Sequence, residues 1–265
     1  MRRRLARQDN HAGAGAVPPY VPGTMDRIDP SVRPDAPLIG YQRWDKLLFL
    51  HWEVPESALR PLVHRRLELD TFEGRAFVSI TPFTVRGARL RGLPPLPPLA
   101  DFDEINVRTY VRLGGADPAV WFFSLDAASG LAAAIARASL RLPYCYARTS
   151  RGSSGSQMHY RATRVVPPAR ATLSATWTVA GESTRASPGT LEHFLAERYL
   201  LFSRALGDRL FRLQVHHPPW PLRRADGVDV RQTLDTADGL PPLAGPPLAQ
   251  YSDGVDVEFF PPAIV

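Results

Sequence analysis

Apolar positions recur with a period of two over most of the chain, the spacing of strands whose side chains alternate between faces. The run DKLLFLHWEV at 45–54 sets Leu48, Leu50 and Trp52 on one face and Leu47, Phe49 and His51 on the other, and Pro55 ends it. Both faces are apolar, which predicts a strand in the interior. Further strands are predicted at 75–86, 103–113, 118–127, 156–165, 170–180 and 209–217, with Gly, Pro or Ser between them. That succession favours an antiparallel sheet or barrel. Three helices interrupt it: a short one over Pro55–Leu62, an alanine-rich one at 129–140 with Ser129 as N-cap, and a longer one at 190–206. In the last, Leu191, Phe194, Leu195, Phe202 and Leu206 fall near one stripe, and Gly207 supplies the stop.

The expected fold class is therefore α+β, mainly antiparallel β with a few short helices, in one domain over 37–265. Residues 1–36 are rich in Gly, Pro, Arg and Asp without an apolar period, and read as a flexible leader that adds little to the core. The segment GLPPLPPLA at 92–100 reads as a stiff extended loop across the sheet; a ligand for an aromatic-lined groove on a partner is the alternative.

Composition narrows the partners. The net charge is +6, but apart from Arg2–Arg4, Arg65–Arg66 and Arg223–Arg224 the arginines stand singly among acids. A phosphate-tracking groove needs several cations converging on one face, so nucleic acid is not expected. Cys145 is alone, which excludes an intrachain disulfide and fits a reducing compartment. The basic start runs into Gln8, Asp9, Asn10 and His11 instead of an apolar stretch, and no run approaches the roughly 18 apolar residues of a membrane helix. A cytoplasmic protein without a membrane partner is expected, and a homo-oligomer is compatible with the sequence.

The strand DEINVRTYVRL at 103–113 carries the strongest candidate chemistry. Alternation places Glu104, Asn106, Arg108, Tyr110 and Arg112 on one face, and Ile105, Val107, Thr109 and Val111 on the other. Its neighbour PAVWFFSLDA at 118–127 is apolar nearly throughout. If the two pair, the polar face lines a cavity with Glu104 and Arg108 on the same side; the alternative is a solvated sheet face. His216 and His217 are adjacent and point to opposite faces, and there is no HExxH or CxxC, so no metal is expected. GxSxG is absent, and Cys145 follows Pro143–Tyr144 without opening a helix, which argues against a serine or cysteine hydrolase.

The runs WDKLLFLHWEVP (44–55), FDEINVRTYVRLGG (102–115), WFFSLDA (121–127), ARASLRLPYCYA (136–147), FLAERYLLFSRALG (194–207), VHHPPWPL (215–222) and YSDGVDV (251–257) are together specific. Over roughly residues 40–262 the chain resembles the YqjF-like family of uncharacterised bacterial proteins, grouped with the acetoacetate decarboxylase-like superfamily. The resemblance implies a cone-shaped antiparallel barrel enclosing a small-molecule pocket. In it, FDE at 102–104 puts Glu104 at the pocket glutamate, LDA at 125–127 matches a leucine–aspartate–asparagine turn, and LPYC at 142–145 puts Tyr144 and Cys145 where the decarboxylases carry two lysines.

That departure removes one reaction. Schiff-base decarboxylation needs a neutral amine, which neither tyrosine nor a permanently protonated arginine supplies. Lys46 is the only lysine, near the start of a different strand. The resemblance and the alternation together imply a small organic, carboxylate-bearing ligand in a barrel pocket, without a cofactor. Arg108 would hold the carboxylate, with Asn106, Tyr110, Asp126 and His216 lining the site and Glu104 ion-paired to Arg108 in the empty pocket. Turnover, if any, would be of lyase or isomerase type with Glu104 as general base and Tyr144 as proton donor. A non-catalytic structural or interaction protein with a filled barrel is the alternative, and whether the chain is an enzyme stays open. Incubation with acetoacetate and borohydride is expected to leave no reduced adduct; one mapped to Lys46 would restore the imine route.

Overall fold

The computed structural model describes residues 27–97, 99–165 and 169–265. In chain order these form β1 (Gly40–Val54), α1 (Glu56–Leu59), β2 (Leu67–Leu69), β3 (Ala76–Leu90), β4 (Phe102–Leu113), β5 (Ala116–Ala127), α2 (Gly130–Leu140), β6 (Tyr144–Ser154), β7 (Gln157–Arg164) and β8 (Ala171–Thr184). There follow α3 (Leu191–Ala196), β9 (Leu200–Arg204), β10 (Leu210–His216), β11 (Leu222–Gln232), α4 (Leu234–Ala237), β12 (Leu248–Phe259) and β13 (Ala263–Ile264). The strands form one mainly antiparallel sheet, with parallel pairings only where β5 meets β6 and β9.

Two closures turn this sheet into a pair of barrels. Pairing of β4 with β5 closes the circuit β5–β6–β7–β8–β11–β12–β1–β3–β4. Pairing of β10 with β12 closes a second circuit, β5–β9–β10–β12–β1–β3–β4. Strands β12, β1, β3, β4 and β5 belong to both and form a shared wall. Register partners point to the same side of a sheet, so each wall strand sends alternate residues into different barrels. Leu48, Leu50, Ile80, Ile105 and Val107 pack with Tyr160, Leu173 and Trp177 in the first barrel. Leu47, Phe49, Phe83 and Val85 pack with Leu213, Val215, Trp220 and Val257 in the second.

This double burial accounts for the apolar run of β1. At Lys46 the backbone takes φ 54°, and the β1–β3 register shifts between Asp45 and Leu50. Trp44 and Leu47, three apart, thereby join the same cluster in the second barrel. Opposite this kink Gly254 has φ 124°, and a Cβ there would stand 2.2 Å from the Trp44 carbonyl oxygen, a position only glycine fills.

The helix expected at 190–206 stops at Ala196, and Leu200–Arg204 is strand β9. Thr190 caps α3, its hydroxyl accepting from the His193 N–H. Beyond it, Leu200 and Phe202 enter one core and Leu201 faces another. A segment buried on both sides carries apolar residues at helical as well as strand spacing, so the stripe did not discriminate. Leu206 is 64% exposed, and Gly207 makes the β9–β10 turn with φ 67°. Ser129 caps α2 as expected.

Residues 1–26 of the expected leader lie outside the described residues, while 27–36 contact the sheet. Arg27 donates twice to the fully buried Asp70 carboxylate at 2.6 Å, Pro30 is buried, and Arg33 pairs with Glu258. Asp70 also accepts from Arg198 at 3.1 Å, and both guanidiniums lie over the Phe194 ring. The 92–100 segment connects β3 to β4, with Leu93 and Leu96 exposed and Pro98 outside the described residues. Arg27→Ala leaves Asp70 with Arg198 alone; a loss of about 1–2 kcal/mol is expected, given the partial exposure of Arg27. Thermal unfolding should report it as a Tm lower by roughly 2–8 °C.

Candidate functional site

The polar face of β4 looks into the second barrel. Its pairing with β3 and β5 sets Arg108 beside Ser79 and Phe122, and Glu104 beside Phe83 and Ala127. Ser79 in turn pairs with His51 on β1, so His51, Ser79 and Arg108 form one row across three strands. Thr81 and Asn106 occupy the next row, and the Ser79 and Thr81 hydroxyls bond at 3.3 Å.

Arg108 is the unusual member. Its guanidinium lies 5.9 Å from the Phe49 ring centroid and 6.0 Å from that of Tyr110, positions that favour a cation modestly. Its Nε and Nη2 are buried and meet no acceptor among the described residues. Two histidines stand within its field. His51 is pushed down to about 3, first by burial and then by the Arg108 charge. His217 is pushed down to about 4, mainly by burial. Both are neutral at neutral pH. The Tyr110 hydroxyl donates to the Leu195 carbonyl at 2.9 Å, so His51 Nδ1, 3.1 Å away, donates to the Tyr110 oxygen. The His51 Nε2 lone pair is then buried without a donor. His217 stacks on Tyr199 at 4.4 Å and donates from Nδ1 to the Pro218 carbonyl, which leaves its Nε2 likewise bare.

Glu104 and Tyr144 meet at the other end of the row of even positions. The Tyr144 hydroxyl lies 3.3 and 3.2 Å from the two carboxyl oxygens of Glu104. Tyr144 reaches them because the start of β6 runs parallel to β5, pairing Tyr144 with Leu125. Burial pushes Glu104 up to about 8, opposed by the Tyr144 hydrogen bond, and burial also raises Tyr144 well above its ordinary value. The expected Glu104–Arg108 ion pair is not formed. Four residues along a strand separate Cα atoms by about 13 Å, beyond the reach of a direct contact while Glu104 holds Tyr144.

Two residues expected in the pocket lie elsewhere. Asp126 faces the first barrel, where Arg164 donates to it at 2.8 Å and also to Asp238 and Ser124. Its place follows from register, since Asp126 pairs with Ile105 and not with an even-numbered residue of β4. His216 is half-buried on the outer side, its Nδ1 3.2 Å from the Ser31 carbonyl, and its neighbour His217 takes the interior position. Tyr110 and Asn106 do face the second barrel, and Asn106 Oδ1 is buried without a donor. Sequence reasoning missed His51 and His217 as members; the parity of His51 in the 45–54 run carried the available signal. Among the described residues no group of three or more His, Cys, Asp or Glu is arranged to hold a metal ion, and no helix is long and apolar enough to cross a membrane.

Residues 41–256 match the family model described as an uncharacterized conserved protein, DUF2071. The chain belongs to this family. Uncharacterized protein YqjF of Bacillus subtilis is 37% identical over 228 residues, covering 86% of this chain and 93% of that relative. Among solved structures, the acetoacetate decarboxylase of Legionella pneumophila superposes with a TM-score of 0.62 at 10% identity, over 90% of this chain and 94% of that one. The enduracididine biosynthesis enzyme MppR, complexed with pyruvate, gives 0.60 at 13% identity, over 88% and 92%. The DUF2071 chain thus has the acetoacetate decarboxylase-like fold.

A buried acid whose proton affinity rises on folding is more stable protonated, and the native state keeps its proton where the unfolded chain has lost it. Stability therefore falls as pH rises from about 4.5 to about 8, by up to about 1.4 kcal/mol per pH unit from Glu104. Glu104→Gln removes this dependence. Denaturant unfolding at pH 5 and pH 8 is expected to find the variant gaining on the parent as pH rises; equal differences at both pH values would mean Glu104 ionises normally.

Proposed function

We propose that this chain binds a small organic carboxylate inside the second barrel, anchored on Arg108. The observation that carries the reading is the half-buried Arg108, whose Nε and Nη2 are buried without an acceptor. Donors held away from water without an acceptor are costly, and a protein that retains them has a use for an anion brought from outside. A carboxylate fits the two parallel donors of an arginine edge. The neutral state of His51 and His217 supports this, since neither adds a competing charge. In the same fold, MppR is complexed with pyruvate, itself a small carboxylate.

Glu104 and Tyr144 supply the acid/base half of the proposal. At neutral pH a carboxyl near 8 carries its proton, so Glu104 can donate to a ligand oxygen and becomes a base as the pH approaches 8. Tyr144 stays protonated and holds Glu104 in place. Lys46, the only amine side chain, is exposed at the β1 kink and takes no part. The filled-barrel alternative draws on Trp44, Phe49, Phe83 and Trp220, which pack closely in the same barrel. A core that only packed would have no reason to keep Arg108 unpaired.

Isothermal titration with pyruvate, acetate and longer monocarboxylates is expected to give saturable binding that weakens at least tenfold in Arg108→Gln. Because that substitution leaves no protein carboxylate behind, the Tm of the empty variant should stay level or rise. Binding that survives the substitution, or no binding by any of these acids, would overturn the reading.

A further inference from the structure

A cleft of about 320 Å³ opens beside His51, within the size range of small-molecule sites. Leu191 and Leu195, one helical turn apart on α3, line it together with Leu222 at the start of β11 and Leu248 at the start of β12, while Glu182, Glu192, Arg223, Arg224 and Gln250 form its polar border. Four leucines from three separate elements therefore converge on one opening. Leu195 and Leu222 are buried, and Leu248 is 49% exposed.

The cleft and the guanidinium lie on one continuous row. Leu248 pairs with His51 on β1, His51 with Ser79 on β3, and Ser79 with Arg108 on β4. Paired residues share a face, so all four side chains belong to the second barrel. Three strand spacings put Leu248 roughly 14 Å from Arg108 between Cα atoms. His51 lines the cleft and also stands in the field of Arg108. Its ring stacks on Phe49 at 6.1 Å and, being neutral, puts no charge between the cation and the leucines.

We propose that the ligand is an amphiphilic monocarboxylate, with its carboxylate on Arg108 and an apolar tail running past His51 into the cleft formed by Leu191, Leu195, Leu222 and Leu248. The proposal rests on the carboxylate reading above and adds the class of tail. A short acid would fill only the inner end, whereas an acyl or aryl chain would cover Leu191 and Leu248 and displace water from them. Each methylene so buried strengthens binding about fourfold.

Titration of the full chain with butanoate, hexanoate, octanoate and decanoate, each below its micellar concentration, tests the tail separately from the anion. The expected result is a Kd that falls about fourfold per methylene until the chain reaches Leu248. Leu248→Asp, at a half-exposed position outside the core, should flatten that trend for octanoate and decanoate and leave butanoate unchanged. Binding that depends on Arg108 without any chain-length trend would overturn the tail assignment and leave the carboxylate reading standing. A trend that persists unchanged in Leu248→Asp would put the tail elsewhere and also overturn it. No binding by any member would sink both.

Discussion

The shared wall of β12, β1, β3, β4 and β5 imposes the constraint on which the rest of the molecule depends: its strands face a barrel interior on both sides. A strand in an ordinary sandwich turns one face to water and can place charges there. Across the middle of the wall each side chain must be packed or given a polar partner, because neither side there offers bulk solvent. The β1 core Leu47–Trp52 is consequently buried at every position. Charges on the wall stand out for the same reason.

Glu104 and Arg108 on β4 meet that constraint differently. Glu104 yields by holding its proton, with burial outweighing the Tyr144 hydrogen bond. Arginine cannot yield, since its guanidinium stays charged at any working pH, and Arg108 is left with two aromatic rings and unfilled donors. Had the two side chains met, each would have neutralised the other. Their separation along the strand leaves one end of the interior cationic and the other acidic but uncharged. In the first barrel, by contrast, Arg164 is closed between Asp126 and Asp238.

Much of this was legible from residues alone. The strands β1, β3, β4 and β5 emerged from alternation because their apolar content is high, and the pairing of β4 with β5 follows from the short turn between them. The strand β11, LRRADGVDVRQ, was not legible, since its exposed polar positions resemble a loop. Nor were β6 and β12, whose Gly, Ser and Arg dilute the pattern. Alternation separated Glu104 and Arg108 from Ile105 and Val107, but it could not tell that both faces are interior. It therefore left a solvated face open for β4 and could not rank His217 above His216. The Glu104–Tyr144 contact came from resemblance, because 40 residues of chain separate the partners and only the parallel start of β6 joins them.

The wall also has a consequence for how such a protein can diversify. Each of its strands carries two interleaved alphabets, odd-numbered letters in β4 writing one interior and even-numbered letters the other. One alphabet can be rewritten while the other is held fixed, so the apolar barrel can preserve the fold through changes that remake its neighbour. A chain of the acetoacetate decarboxylase-like fold can in this way keep its shared wall while residues that face the second interior, Glu104 and Arg108 among them, are exchanged. Inheritance of the scaffold and turnover of the chemistry are thereby assigned to alternate residues of the same five strands.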